Sequence, residues 1–146
     1  MKFAHIADVH LGTRRETPYL YDGFLNFIDY MELHPVDMIF ITGDLFDHVP
    51  TREDIVFVDT QLARLVKTDI LYVTGECDYL GKDSILWNYE FVSRTYLLNC
   101  EDIHNHVPEG ERAKRNSYAE GIMDSLHFEK YNVDIYGICQ YSARNE

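Results

Sequence analysis

The first half of the chain alternates between short apolar runs and amphipathic stretches. The runs "FAHIA", "MIFITG" and "ILYVTG" are rich in Ile, Val, Phe and Tyr and stop at a glycine or an acidic residue, which is typical of strands. Between them, residues 21–33 and 52–67 carry apolar side chains at helical spacing, such as Leu25, Ile28 and Met31. The alternation predicts an α/β fold with a βαβαβ parallel sheet, right-handed crossovers and flanking helices.

The second helical stretch begins with a capping pattern, because Thr51 is followed three residues later by Asp54. Beyond residue 81 the patterns are weaker. "SILWNYEFVSRTYLLN" predicts a helix followed by a strand, and the polar segment "CEDIHNHVPEGERAKRNSYAEG", which contains Pro108, predicts an irregular or edge segment. "LHFEKYNVDIYGICQYS" predicts two short strands. We expect residues 1–146 to form a single domain.

Each of the three predicted strands in the first half ends at an acidic residue, namely Asp8, Asp44 and Glu76. The carboxyl ends of parallel strands lie at the same edge of a sheet, and functional groups collect just beyond that edge. We therefore expect the three acidic turns to share one crevice.

The composition is that of a globular protein, with 46% hydrophobic and 14% aromatic residues. No apolar run approaches the length of a membrane span, and the N-terminal stretch turns polar too early for a secretion signal. The three cysteines, Cys77, Cys100 and Cys139, are widely spaced and form no zinc or redox motif, so we expect a cytoplasmic protein with reduced thiols. A net charge of −12 argues against nucleic-acid binding through a basic surface, but not against a nucleic-acid substrate held by metal ions.

Two of the acidic turns have the composition of a metal site. Side chains at i and i+2 of an extended segment point the same way, so Asp8 and His10 can share one cation. "GDLFD" adds Asp44 and Asp47, and Gly43 permits a sharp turn beside them. Mixed oxygen and imidazole ligands suit manganese, iron or zinc better than calcium. The alternative is that Asp8 and Asp44 only cap helices or end strands.

The same stretches resemble a known family. "IADVHLG", "VDMIFITGDLFD" and "LYVTGECDYL" are similar to the first three motifs of the calcineurin-like metallophosphoesterases, and most similar to the SbcD-type nuclease subunits of DNA double-strand-break repair. The resemblance covers residues 1 to about 98 and, more weakly, residues 133–142. It implies a two-sheet sandwich, of which this chain would form a truncated version. The family's last two motifs, which supply three further histidine ligands, have no counterpart here.

The resemblance also implies a role for each matching residue. Asp8 and His10 would hold a first metal ion, Asp47 would bridge two ions, and Asp44 would orient His10 or another group beside the ligands. His48, next to Asp47, is expected to face away from the site if the turn continues. The implied cofactor is a divalent metal, manganese first with iron or zinc as alternatives, in up to two sites of which the second is incomplete.

The third motif departs from the family, which has Gly-Asn-His followed by Asp or Glu. Gly75 and Asp78 match it, while Glu76 replaces the asparagine as the implied ligand of the second metal. Cys77 replaces the catalytic histidine, so that the implied catalytic set is Asp44, Cys77 and Asp78. A thiol offers no positive charge to a negative transition state. The loss of one such electrostatic group typically lowers the rate by about a hundredfold to a thousandfold.

Arg14 and Arg15 follow the first motif directly and are candidates for substrate binding through a phosphate backbone. Two adjacent arginines on a surface loop are also commonly just solvated. Both interpretations, a phosphate contact and a solvated surface loop, are kept for Arg14 and Arg15.

The first functional hypothesis is a metal-dependent phosphoesterase of the DNA exonuclease type, a hydrolase that cleaves phosphodiesters with a metal-activated hydroxide and whose activity in this chain is weak or absent. The alternative is a non-catalytic module that keeps the fold for protein interaction. A third hypothesis is a phosphatase or a cyclic-nucleotide phosphodiesterase. The resemblance implies DNA or another phosphodiester as substrate and an ATPase subunit as partner. A rearranged sheet edge or a homodimer is a further expectation, because the apolar face that the second sheet would cover must be covered in another way.

Overall fold

The computed structural model describes residues 1–12, 16–81, 83–98, 100, 103–119 and 123–138. In chain order the described elements are β1 (Phe3–Ile6), α1 (Pro18–Leu33), β2 (Met38–Thr42), α2 (Arg52–Leu62), β3 (Asp69–Val73), β4 (Thr95–Leu97), β5 (Lys114–Ala119), β6 (Met123–Phe128) and β7 (Val133–Gly137). Short 3-10 helices cover Ile85–Asn88 and Glu109–Glu111.

The first four strands form one parallel sheet in the order β1-β2-β3-β4. The pair Ile39 and Ile70 shows the register of the two central strands, and both side chains are fully buried. A strand buried on both faces needs apolar side chains at successive positions, and this explains the continuous apolar runs of β2 and β3. The predicted α/β class and parallel sheet are confirmed.

The two helices lie between the strands that the sequence assigned to them. Helix α1 begins three residues before the predicted boundary, with Pro18 in its first turn, and buries Phe24 and Ile28. Helix α2 ends at Leu62, five residues before the predicted boundary. Its predicted cap is confirmed, because the Thr51 hydroxyl accepts a hydrogen bond from the Asp54 N–H while the Asp54 carboxylate accepts one from the Thr51 N–H.

Strands β5, β6 and β7 form a second, antiparallel sheet in that order. The two strands predicted after residue 126 correspond to the end of β6 and to β7. The stretch before them, expected to be an irregular or edge segment, contains β5 (Lys114–Ala119), which lies at an edge of this sheet. Its polar sequence, "KRNSYA", carries little apolar alternation and so shows no strand pattern. The helix predicted after residue 84 is a short 3-10 helix, Ile85–Asn88.

Aromatic packing joins the two sheets. The rings of Tyr96 in β4 and Phe128 in β6 meet edge to face at 5.0 Å, and both side chains are buried. The hydroxyl of Tyr131, in the turn before β7, donates to the carbonyl of Asp37 at 3.1 Å. The carboxyl edge of the parallel sheet therefore belongs to a scaffold with one continuous core. Within the described segments, no helix has the length and apolar character needed to cross a membrane.

Candidate metal centre

Backbone hydrogen bonds bring the turns after β1, β2 and β3 side by side. The N–H of Asp8 donates to the carbonyl of Gly43 at 3.1 Å, and the N–H of Gly43 donates to the carbonyl of Val73 at 2.7 Å. The N–H of His10 donates to the carbonyl of Asp44 at 3.0 Å. The parallel pairing thus continues past the ends of the strands into the acidic turns. As expected from the sheet topology, the three turns share one edge.

In two of the turns, candidate metal ligands have backbone φ angles in the left-handed region. Asp8, His10 and Asp44 have φ angles of 52°, 51° and 48°, and Gly43 has a φ of 87°. A non-glycine residue in this region costs about 1–2 kcal/mol. Such strain is retained where the surrounding structure imposes it, and it concentrates at functional sites. Here the hydrogen-bonded turns impose it on two acidic side chains and an imidazole.

His10, Asp44 and Cys77 come together at this edge. One ligand atom of each lies within 4.8 Å of the ligand atoms of the other two, and all three residues are partly buried. Among the residues that the structure describes, this is the single group of three or more His, Cys, Asp or Glu side chains with ligand atoms this close. It contains one residue from each of the three sequence motifs.

The third motif holds the Asp44 carboxylate in place. The backbone N–H of Cys77 donates to Oδ1 of Asp44 at 2.9 Å. Gly75 lies so close that a Cβ atom built on it would be 2.2 Å from the same Oδ1. A residue with a side chain would therefore displace Asp44. Among contacts between described residues, Oδ2 of Asp44 has no hydrogen-bond partner, so this oxygen is available to a ligand.

The remaining predicted metal ligands lie at different distances from this group. Asp8 is near, because its Oδ1 lies 3.9 Å from Nε2 of His10, and its side chain is 74% exposed. Glu76, the implied ligand of a second metal, is exposed and does not belong to the close group. Its role as a ligand stays a prediction.

Asp47 makes a different set of contacts. The His48 ring bonds to Asp47 through Nδ1 and lies 3.2 Å from Asp54 Oδ2 through Nε2. The chain turns toward helix α2 and places the His48 ring between these two carboxylates, outside the close group of His10, Asp44 and Cys77. Burial lowers the pKa of His48, but the hydrogen bonds and charges of Asp47 and Asp54 outweigh it and raise this pKa above its ordinary value. In the sequence, the position of His48 between Asp47 and the capping residue Asp54 was the signal for this contact.

Asp78 is fully buried and receives hydrogen bonds from the site's backbone. Its Oδ2 accepts from the N–H of Leu45 at 2.8 Å and from the hydroxyl of Tyr72, while its Oδ1 accepts from the N–H of Gly75 at 2.7 Å. A carboxylate with both oxygens occupied and no exposed surface cannot touch a substrate. The structure therefore places this predicted catalytic residue beneath the site, where it connects the second turn to the third.

The surroundings of Cys77 disfavour its anionic form when no cation is present. Burial, and then the negative charges of Asp44, Asp78 and Glu76, raise the pKa of the Cys77 thiol. The side chain therefore supplies neither the positive charge of a histidine nor a free thiolate. The candidate substrate residues Arg14 and Arg15 fall outside the described residues.

The profile of the calcineurin-like phosphoesterase family matches residues 1–138. The chain belongs to the calcineurin-like phosphoesterase family. It is also 24% identical over 151 residues to a protein named DNA double-strand break repair protein Mre11 from Methanopyrus kandleri. That alignment covers 99% of this chain and 31% of the relative, so the chain spans under a third of the relative's length. The predicted resemblance is confirmed at the level of the family.

Proteins of this family bind divalent metal ions, and the donors of the close group fit such an ion. A carboxylate oxygen and an imidazole nitrogen are ordinary ligands of divalent transition metals. Gly75 packs closely against Asp44, and the Cys77 N–H bonds its Oδ1. Among contacts between described residues, Oδ2 stays free to bind an ion. The identity of the metal does not follow from the family.

Proposed function

We propose that this chain carries a metal-dependent phosphoesterase site of the nuclease type, with phosphodiesters, DNA first among them, as substrates. The observation that carries the proposal is the convergence of His10, Asp44 and Cys77 where the turns of three parallel strands meet. The family match supports phosphoester chemistry. The name of the Methanopyrus kandleri relative, a DNA double-strand break repair protein, supports DNA as the substrate.

In this proposal Asp44, rather than Asp47, is the central metal ligand. Asp44 lies in the close group with His10, whereas Asp47 lies outside that group and is bonded through Oδ1 by His48. Asp8 lies near enough to His10 to join after a change of rotamer. A divalent ion held there would supply positive charge to a phosphoester and would lower the pKa of a water molecule.

The surrounding residues would position the ligands rather than contact the substrate. Asp78 holds the backbone of Leu45 and Gly75 and so fixes the turns that carry Asp44 and Cys77. His48 orients the Asp47 carboxylate and is itself oriented by Asp54. Asp78 is therefore proposed as a positioning residue instead of a catalytic one.

A second candidate function is a non-catalytic interaction module on the same fold. The observation that favours it is Cys77, because a neutral thiol gives no charge to a negative transition state. The exposed aromatic side chains of Phe3, on the edge strand β1, and of Tyr19 are further support for an association surface. A homodimer, an ATPase partner and a cytoplasmic location stay predictions.

The decisive experiment compares Asp44→Asn with Asp83→Asn by calorimetry with Mn²⁺ and with Zn²⁺. The asparagine at position 44 keeps an oxygen for the Cys77 N–H, while Asp83 is exposed and is not a member of the close group. Loss of a residue that merely supports a ligand weakens metal binding by about 10–100-fold, so we expect Asp44→Asn to weaken it by at least about 100-fold. Asp83→Asn should bind like the wild type.

Hydrolysis of bis-p-nitrophenyl phosphate and of linear DNA is then measured on the same proteins. Metal-dependent turnover that disappears in Asp44→Asn supports the phosphoesterase. Metal binding that survives Asp44→Asn would contradict the ligand assignment. Tight binding without turnover on either substrate would favour the interaction module.

A further inference from the structure

Cys77 is placed differently from a residue that approaches substrate from the far side of a metal. Its ligand atom lies within 4.8 Å of those of His10 and Asp44, in the same group and not opposite to it. Its backbone N–H is bonded to Asp44, so the turn that carries the thiol is anchored directly on a ligand. The third motif therefore brings sulfur to the metal-binding edge.

The approach of the third motif depends on Gly75. A Cβ at this position would lie 2.5 Å from the backbone N of Asp44 as well as 2.2 Å from its carboxylate. The absence of a side chain lets the two turns pack backbone to backbone. Asp78 holds this arrangement from below, through Leu45 on one turn and Gly75 on the other. The position of the thiol is consequently fixed by the hydrogen bonds of its turn to Asp44 and Asp78.

We infer that His10, Asp44 and Cys77 form a single thiolate-containing site that takes zinc-like thiophilic ions in preference to Mn²⁺ or Mg²⁺. The inference rests on the proposed function, and it names the class of metal and gives Cys77 a new role as ligand. One nitrogen, one oxygen and one sulfur donor make a set that suits Zn²⁺ or Co²⁺, whereas Mg²⁺ and Mn²⁺ prefer oxygen-rich sites.

The geometry is close to what such an ion requires. Bond lengths of about 2.0–2.3 Å in a tetrahedral site place ligand atoms about 3.5 Å apart. The ligand atoms lie within 4.8 Å of one another on side chains that are only partly buried, so small rotamer changes can close the group around an ion. Three protein ligands with one open position is the arrangement of catalytic zinc sites.

Binding converts the thiol to a ligand with a defined proton balance. The S–H bond of Cys77 breaks, the proton passes to the buffer, and the sulfur lone pair forms the bond to the ion. The negative charges that surround the sulfur in the metal-free state are then offset by the cation. Neither an oxidant nor any other reactant is needed.

The test uses Co²⁺ as the probe, because cobalt–thiolate bonds give a charge-transfer absorption band that oxygen and nitrogen ligands lack. The wild type is titrated with Co²⁺ and then with Zn²⁺ and Mn²⁺ as competitors, alongside Cys77→Ser and Cys77→Ala. Cys100→Ala serves as the matched control, because it removes a thiol that lies outside the close group. Circular dichroism confirms that each variant is folded.

We expect one equivalent of Co²⁺ to give the thiolate band in the wild type and in Cys100→Ala, and neither Cys77 variant to give it. Zn²⁺ should displace Co²⁺ and Mn²⁺ should not, and Cys77→Ser should weaken Zn²⁺ binding by at least about 10–100-fold. Stoichiometric binding of Mn²⁺ or Co²⁺ without the band in the wild type would overturn the inference and leave the phosphoesterase proposal intact. A wild type that binds none of the three ions would overturn both. If the Cys77 variants fail to fold, the wild-type spectrum and the competition decide the question.

Discussion

The Asp78 carboxylate accepts a hydrogen bond from the backbone N–H of Leu45 at 2.8 Å, across 33 positions of sequence. Its other oxygen accepts from the N–H of Gly75 at 2.7 Å. One buried side chain thus connects the turn that carries Asp44 to the turn that carries Cys77. The arrangement of the metal-binding edge depends on a residue that does not reach it.

Asp78→Asn should therefore be strongly destabilising although it preserves the size of the side chain. In the wild type, backbone N–H groups and the Tyr72 hydroxyl donate to both carboxylate oxygens of Asp78. In Asp78→Asn an NH₂ group would replace one of these oxygens, so that a donor would face a donor. Hydrogen bonds to charged groups contribute about 1.5–3 kcal/mol each, so we expect a loss of about 3 kcal/mol in the free energy of unfolding. Urea unfolding measures it, and the exposed Asp83→Asn is the control for charge. Equal stability of the two variants would show that Asp78 does not organise the turns.

Two glycine substitutions should have opposite effects. A Cβ at Gly75 would collide with the side chain and backbone of Asp44, while a Cβ at Gly23 would meet nothing within 4 Å on the exposed side of α1. Overpacking costs about 1–3 kcal/mol, so Gly75→Ala should lower stability by that amount and also weaken metal binding. Gly23→Ala should raise stability by about 0.5–1 kcal/mol, because alanine favours helix. Thermal unfolding of both variants decides this, and a stable Gly75→Ala that still binds metal would contradict the packing argument.

Much of the scaffold could be predicted because its causes are local. The apolar runs that became β2 and β3 and the Thr51–Asp54 cap are properties of a few neighbouring residues. The placement of the acidic turns at one edge followed from parallel topology. The stretch that contains β5 was predicted only as an irregular or edge segment, because its polar sequence shows no strand pattern and its partner strand β6 lies after it in the chain.

The division of roles among the acidic residues was harder to predict. Asp44 and Asp47 stand three positions apart in one motif, and the sequence alone does not indicate which faces Cys77. Asp78 follows Cys77 directly, but its burial depends on donors from Leu45 and Tyr72 in other parts of the chain. Long-range hydrogen bonds decide these roles, and a linear motif does not encode them.

The ion pair of Arg94 and Asp69 should behave as a buried pair. Arg94 Nε donates to Asp69 Oδ1 at 2.8 Å, and the two side chains are 15% and 3% exposed. Removal of one partner from a buried pair leaves a charge without compensation, so Arg94→Met should cost about 3–5 kcal/mol. The double variant Arg94→Met with Asp69→Leu should recover most of that loss, because replacement of both partners by apolar groups is often neutral.

A double-mutant cycle by urea unfolding measures the coupling between Arg94 and Asp69. Lys114→Ala is the matched control, because its pair with Glu129 is exposed and should give no measurable change. If Arg94→Met changes stability as little as this control, the pair contributes no more than a surface contact.

The last prediction concerns alkaline pH and the pair of Tyr89 and Asp59. Asp59 is fully buried and accepts the Tyr89 hydroxyl at 3.0 Å, together with the backbone N–H groups of Val92 and Ser93 at 2.9 Å each. Burial, and then the charge and hydrogen bond of Asp59, raise the pKa of Tyr89 to about 12. A tyrosine in the unfolded chain loses its proton near pH 10.

Between these two pKa values the folded state keeps a proton that the unfolded state has lost, so stability falls as pH rises. The fall is at most about 1.4 kcal/mol per pH unit from this one group. Tyr89→Phe lacks the hydroxyl and its hydrogen bond to Asp59, so near neutral pH it should be about 1 kcal/mol less stable than the wild type. Its stability should then decline less steeply than that of the wild type above about pH 10, so that the two curves converge.

Urea unfolding from about pH 8 to about pH 11 measures both curves, with the exposed Tyr19→Phe as the control for loss of a hydroxyl. Parallel curves for wild type and Tyr89→Phe would mean that the pKa of Tyr89 is not raised in the folded protein.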